Sequence, residues 1–170
     1  YLPIIKANGY GHGLEAIAGV LLATAKQVAQ SVNSLEGCAI AALSEAQRLR
    51  ECGWDRPIVL LPGFIDTAEL DECKRLGIDP VIHSPYQLAL MLANPNGISR
   101  VWLKANTGMN RLGLNTEAWH EALTALSAVP NLAVVAMSHL ACADELDSPV
   151  TLKQKSQFDS LLADTGAIRK

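Results

Sequence analysis

Ile4-Ile5-Lys6-Ala7-Asn8-Gly9-Tyr10-Gly11-His12-Gly13 joins a short apolar run to a lysine and then, at once, to a turn holding three glycines. Leu2 to Lys6 has the length and isoleucine content of a buried strand bounded by a turn signal. Beyond the glycines, Leu14, Ile17, Leu21, Ala25 and Val28 fall on one face of a helix expected over Leu14 to Ala29. Strand, loop, helix is the first unit, and a strand that delivers an amine to its own carboxyl end is built like a site.

The same unit recurs outward along the chain. Asn33 to Gly37 breaks the pattern, and Cys38 to Leu43 is a second apolar strand. Ser44 is the expected N-cap of a helix from Glu45 to Cys52, with Glu45 at its positive end and Gly53 stopping it. Pro57 to Leu61 is a third strand, followed by a helix that Asp66 caps and that runs to about Leu76. Asp79 to His83 precedes Ser84-Pro85, a cap and first helical residue for Tyr86 to Ala93. Ser99 to Lys104 is a fifth strand, then come the loop Asn106 to Gly113 and a helix from Thr116 to about Ala128. Leu132 to His139 is the sixth strand, and Pro149 to about Ala163 is again helical by spacing.

Strands that read as continuous apolar runs indicate a parallel sheet buried on both faces, an α/β fold. A doubly wound sheet places ligands where strand order reverses, whereas a (β/α)8 TIM-type barrel places them at the carboxyl ends of many strands. Chemically capable residues recur at strand ends, namely Lys6, Lys104 and its loop, and His139. The barrel is therefore the expected fold, with about six of its eight strand-helix units present. Six units, and an opening at Tyr1 rather than methionine, predict a chain of 1–170 clipped at both ends.

Nearly half of the 170 residues are apolar, enough for a sizeable core, and the net charge of -3 is scattered with no basic stripe. That composition points away from nucleic acid and membrane surfaces and toward a small-molecule substrate. No apolar run approaches the ~20 residues of a membrane span. Cys38, Cys52, Cys73 and Cys142 lack any zinc-type spacing and read as reduced core or near-core thiols of a cytoplasmic protein. His12, His83 and His120 give no metal-ligand spacing either, so no metal is expected.

Three strand ends carry the chemistry. An amine at Lys6 can lose its proton through desolvation and attack a carbonyl, although a lysine there can also snorkel out to water. Tyr10, between glycines that let backbone approach a ligand, can offer its hydroxyl to a phosphate. The run matches neither a Walker loop nor the dinucleotide fingerprint. Arg111, between Gly108 and Gly113, suits an oxyanion, a phenolate or a carboxylate. Lys104, seven residues earlier, would repel it unless an anion lay between them. His139 is either a hydrogen-bonded core ring or one packed on a flat cofactor. Asp144 and Glu145 read as loop or helix-entry charges.

Taken together these stretches resemble the alanine racemase family. Lys6-Ala7-Asn8-Gly9-Tyr10-Gly11-His12-Gly13 is similar to its pyridoxal-phosphate lysine signature, in which the position of Gly9 is more often alanine. Trp102-Leu103-Lys104-Ala105-Asn106-Thr107-Gly108-Met109-Asn110-Arg111-Leu112-Gly113 resembles the second signature, where Asn106 replaces the usual aspartate. Ser138-His139-Leu140-Ala141-Cys142-Ala143-Asp144-Glu145 resembles the third.

The resemblance implies an isomerase using pyridoxal 5'-phosphate to interconvert L- and D-alanine, supplying D-alanine for peptidoglycan. Lys6 would hold the cofactor as an aldimine and then act as the base on one face of the substrate. Tyr10 would bind the cofactor phosphate. Arg111 would donate to the phenolic oxygen and meet the substrate carboxylate, Lys104 would be a carbamylated lysine orienting that arginine, and His139 would pack beside the ring. In the family the opposing base comes from the C-terminal β-domain of the partner in a homodimer, so this chain would hold a partial site and be inactive alone. Leu112 after the arginine fits alanine racemases better than the broader-specificity amino-acid racemases. The alternatives are a non-catalytic pyridoxal-phosphate-binding barrel, whose motifs these stretches do not resemble, and an inert barrel fragment.

Overall fold

The structure, a computed structural model, describes residues 1–27 and 34–163. The end of the first expected helix, Val28 and Ala29, and the start of the break at Asn33 lie outside the described residues. The chain divides into two units, Tyr1–Pro80 and Val81–Lys170, and the division falls inside a strand rather than at a linker.

In the first unit an extended N-terminal segment leads into α1 (Lys6–Tyr10) and α2 (Leu14–Gln27), followed by β1 (Cys38–Ile40), α3 (Leu43–Glu51), β2 (Ile58–Leu60), α4 (Thr67–Leu76) and the first half of β3 (Asp79–Ile82). β1 pairs with β2 in parallel, Cys38 opposite Ile58 and Ile40 opposite Leu60. β2 in turn places Val59 and Leu60 opposite Asp79 and Pro80. Every residue of β1 and β2 is buried, as runs without polar alternation require. Trp54, Phe64, Leu49 and Leu70 fill the space under the helices.

The second unit continues with Val81 and Ile82 of β3, then α5 (Pro85–Ala93), β4 (Arg100–Lys104), α6 (Thr116–Ser127), β5 (Ala133–Met137) and α7 (Pro149–Ala163). Val81 lies opposite Trp102, and β4 runs parallel to β5 from Arg100–Ala133 to Lys104–Met137. Trp119, Met91, Ile82, Leu103 and Leu126 are among its fully buried large side chains. In each unit the strands neighbour one another in chain order, with no reversal. That order, with a helix between successive strands, is the winding of part of a (β/α)8 barrel and excludes the doubly wound alternative.

Local chemistry sets the element ends. Asp66 accepts a hydrogen bond from the Glu69 N–H at 2.8 Å, and Gly77 closes α4 in a left-handed conformation, φ 59. Ser84 caps α5 through the Gln87 N–H, with Pro85 at the first helical position.

Three expectations need correction. The first strand shrinks to a bridge between Ile4 and Ala39, because Pro3 has no N–H to extend a ladder and Ile5, φ -123 and ψ 24, already leaves the extended region. Lys6 therefore opens a turn instead of ending a strand. Ser44 is not the cap of α3. The capping position is Ala42, which offers no side-chain bond, while Glu45 does lie in the first turn of α3, and is buried there. β5 stops at Met137, since the next residue, Ser138, turns its hydroxyl to the Ala105 carbonyl at 3.1 Å, and His139 lies beyond the strand.

Candidate functional site

In the first unit the site is one turn. Ala7 (φ 54, ψ 50), Asn8 (φ 56, ψ 46) and Gly9 (φ 63, ψ 40) are all left-handed, and Tyr10 follows at φ 53. The left-handed region costs about 1–2 kcal/mol for each residue with a Cβ, somewhat less for asparagine, and consecutive occupancy is rare. Strain of this kind persists only where surroundings over-determine it. Backbone bonds close the turn: the Gly9 N–H donates to Ile5 O at 3.0 Å, the Gly11 N–H to Ala7 O at 3.0 Å and the Gly13 N–H to Asn8 O at 3.0 Å. Lys6 and Tyr10 stand at its two ends. Lys6 is half-buried and forms no ion pair among the described residues, and the Tyr10 side chain is exposed.

Side chains complete the frame. Asn8 Oδ1 accepts from the Leu14 N–H at 3.2 Å, so it caps α2, and from Arg48 Nη2 at 2.9 Å. Arg48 is forked onto Glu15 through two bonds of 2.7 Å. Those bonds hold the Glu15 carboxyl below the usual carboxylate range and push the Arg48 guanidinium above its own. Glu45 accepts the N–H of Asn8 and the N–H of Ala41 at 3.0 and 3.1 Å.

In the second unit the site is the pair of segments that follow β4 and β5. Lys104 ends β4 with only 6 % of its surface exposed, Arg111 is exposed seven residues on, and the loop between them returns so that Leu114 N–H donates to Lys104 O at 2.9 Å. Asn106 anchors that loop. Its Oδ1 accepts from the N–H groups of Gly108 and Asn110, both at 3.1 Å, and its Nδ2 donates to Asn110 Oδ1 at 2.9 Å. An aspartate could accept the first two bonds but could not donate the third, so asparagine serves this loop fully. Gly113 (φ 130) lies so close to the start of the loop that a Cβ there would meet Asn106 N at 2.7 Å.

Gln154, on α7 and 1 % exposed, ties the two segments together. Its Nε2 donates to Thr107 Oγ1 at 3.3 Å and to His139 O at 3.0 Å, and its Oε1 accepts the Ala141 N–H at 2.8 Å. Ser138 donates to Ala105 O, so the 2.7 Å contact between hydroxyls runs from Thr107 to Ser138. The result is a directed chain, Gln154 to Thr107 to Ser138 to a backbone carbonyl, linking the arginine loop to the histidine segment. A separate cavity of about 260 Å³ is lined by Asn106, Thr107, His120 and Ser156, among others, and neither Lys104, Arg111 nor His139 borders it.

The structure thus joins Lys6 with Tyr10 on one turn, and Lys104, Arg111 and His139 through one loop and its tether. Arg48, Thr107, Ser138 and Gln154 were not singled out by the sequence, and Glu45 was read only as a helix-end charge. Arg48 and Glu45 share a face of α3 at i, i+3, a spacing common to any exposed helix charge pair, and nothing about Gln154 marks it as buried.

Comparison with known proteins bears on this arrangement. The family model "Alanine racemase, N-terminal domain" matches residues 1–169. The chain is 45 % identical to an alanine racemase of Alcanivorax borkumensis over 83 % of its own length and 37 % of that protein. It is 43 % identical to one of Thioalkalivibrio sulfidiphilus over 96 % of the chain and 44 % of the relative. The solved alanine racemase of Acinetobacter baumannii superposes with a TM-score of 0.86 at 27 % identity, covering 99 % of this chain and 47 % of that one. The chain therefore spans less than half the length of these relatives. With a match running over residues 1–169, the chain belongs to the alanine racemase N-terminal domain family.

Proposed function

We propose that the protein of which this chain is part is an alanine racemase that uses pyridoxal 5'-phosphate to interconvert L-alanine and D-alanine. The observation that carries the reading is the left-handed turn with Lys6 at one end and Tyr10 at the other. The donor set fits the cofactor: an amine without an ion-pair partner among the described residues for its aldehyde, an exposed phenol for its phosphate, and an exposed guanidinium at Arg111 for its phenolic oxygen.

When bound, the cofactor supplies the electron sink that makes the α-proton of an amino acid removable. Lys6 would hold the group through its amine, and its Nζ, when free, would take or return the α-proton on one face of the substrate. Tyr10 donates its hydroxyl to the phosphate. Arg111 donates to the phenolic oxygen and meets the substrate carboxylate. Lys104 serves as a carbamate, formed from its neutral amine and carbon dioxide with release of a proton. That anion would offer the exposed guanidinium of Arg111 a carboxylate-like partner. His139, exposed after β5, would pack beside the ring. The second face is served by the rest of the protein as a cytoplasmic homodimer, and the D-alanine goes to peptidoglycan.

The test uses the full-length protein. Wild type should show the visible absorbance of bound cofactor and remove optical activity from L-alanine. After hydride reduction the cofactor should remain on the peptide that carries Lys6, and Lys6→Ala should lose both the covalent label and turnover. A label that stays elsewhere in Lys6→Ala overturns the reading, and a labelled wild type that does not racemise alanine favours a cofactor carrier.

A further inference from the structure

Four consecutive left-handed residues need an external hold, and in the first unit α3 supplies it. Glu45 Oε1 accepts the Asn8 N–H at 3.0 Å, in the middle of the turn, while Oε2 accepts the Ala41 N–H at 3.1 Å, just past β1. The residue is 7 % exposed, so its carboxylate has left water and both oxygens are satisfied by backbone donors. One helical turn on, Arg48 reaches the side chain of the same asparagine. Asn8 is thus gripped through its backbone by Glu45 and through its side chain by Arg48.

We propose that Glu45 is a positioning residue of the site: its carboxylate, set between the Asn8 and Ala41 amides, holds the Ala7–Tyr10 turn left-handed and so fixes how Lys6 and Tyr10 leave the backbone. This rests on the reading of Lys6 and Tyr10 as cofactor-binding residues. The chemistry calls for a carboxylate. A glutamine there has one acceptor oxygen, and its NH2 group would face an N–H donor, so Glu45→Gln keeps the shape, loses one bond and sets donor against donor.

The same helix carries its own control. Arg50 donates to the carbonyls of Leu76, Trp54, Arg56 and Gly77 at 2.8–2.9 Å, as many bonds as any side chain nearby, yet none of them goes to the turn. Arg50→Lys keeps the charge and loses the fork, so it reports what plain loss of fold support does.

The experiment takes full-length wild type, Glu45→Gln, Glu45→Asp, Arg50→Lys and the double variant Glu45→Gln with Ala7→Gly. Three quantities are read: pyridoxal 5'-phosphate affinity by absorbance titration of the apoprotein, melting temperature without cofactor, and hydrogen exchange at the Gly9, Gly11 and Gly13 amides. Glu45→Gln should weaken cofactor affinity about tenfold and speed exchange at those amides. Arg50→Lys should lower the melting temperature comparably and leave both other quantities unchanged. Glycine at position 7 adopts positive φ without a Cβ penalty, so the double variant should regain about threefold in affinity.

Wild-type affinity and exchange in Glu45→Gln overturn the inference, as does an Arg50→Lys that disturbs the turn amides equally. If Glu45→Gln does not fold, Glu45→Asp, with its oxygens drawn back by one methylene, is read for the same changes, and their absence overturns it too. A wild type that binds no cofactor overturns the functional reading instead, and exchange at the three glycines then decides the role of Glu45 by itself.

Discussion

At Gly9 the backbone is left-handed, φ 63, and an added Cβ would stand 3.1 Å from Ile17 Cγ1. Gly9→Ala is therefore expected to destabilise the full-length protein by about 1–2 kcal/mol, most of it conformational. Thermal unfolding checks this, and the cost should shrink when Ile17→Val clears the contact while leaving the conformational share. The Glu15–Arg48 pair belongs to the same scale. Hydrogen bonding to Arg48 depresses the folded pKa of Glu15, so its contribution is present above the unfolded carboxylate range and is lost as pH falls through the folded value. The pair is exposed and its effect on overall stability is small, so its consequence is local: the Asn8 tether loosens in acid.

Among the elements, the tether from α7 to the arginine loop should matter more than its place on the helix surface suggests. Gln154→Ala removes three bonds, one to the buried Thr107 hydroxyl and one each to the His139 carbonyl and the Ala141 N–H, whose residues are exposed and within reach of water. A buried group left unsatisfied costs about 1–3 kcal/mol. The expected result, by chemical denaturation of the full-length protein, is a loss of about 1–3 kcal/mol, carried by the one buried group, with looser cofactor binding if Arg111 is a ligand. Much at this scale was legible beforehand. Apolar runs such as Ile58–Leu60 and Val81–Ile82 announce buried parallel strands, and Asp66, Ser84 and Gly77 announce helix ends, because each signal is local. The left-handed turn was not legible, since Ala7 and Tyr10 oppose that conformation and only contacts from residues about 40 positions away impose it. Glu45 looked like a charge answering a helix dipole for the same reason: its partners are amides elsewhere in the chain.

For the molecule as a whole, burial sorts the thiols. Cys38 and Cys73 sit in the core, and burial pushes both up to about 12. Cys52 is exposed, a correction to reading all four as core or near-core, and Cys142 is half-buried. Native protein treated with iodoacetamide at mildly alkaline pH should label Cys52 first, with Cys38 and Cys73 reacting only after denaturation, as peptide mass mapping would show. An unfolded thiol releases its proton from about pH 8.5, whereas these hold theirs to about 12, so their contribution to stability is whole below that window and is lost as pH rises through it.

The bridge at Ile4 has one further consequence. The N-terminal segment bridges to Ala39, and β5 is last in the strand order with β4 as its neighbour, so among the described residues β5 is an edge strand. No proline interrupts β5, and Ile4 is 43 % exposed. An uncovered margin of this kind is a template on which another extended chain can add. Covering the free edge of β5 therefore matters for solubility as well as for architecture, since an edge left open can be extended by a second copy of the chain.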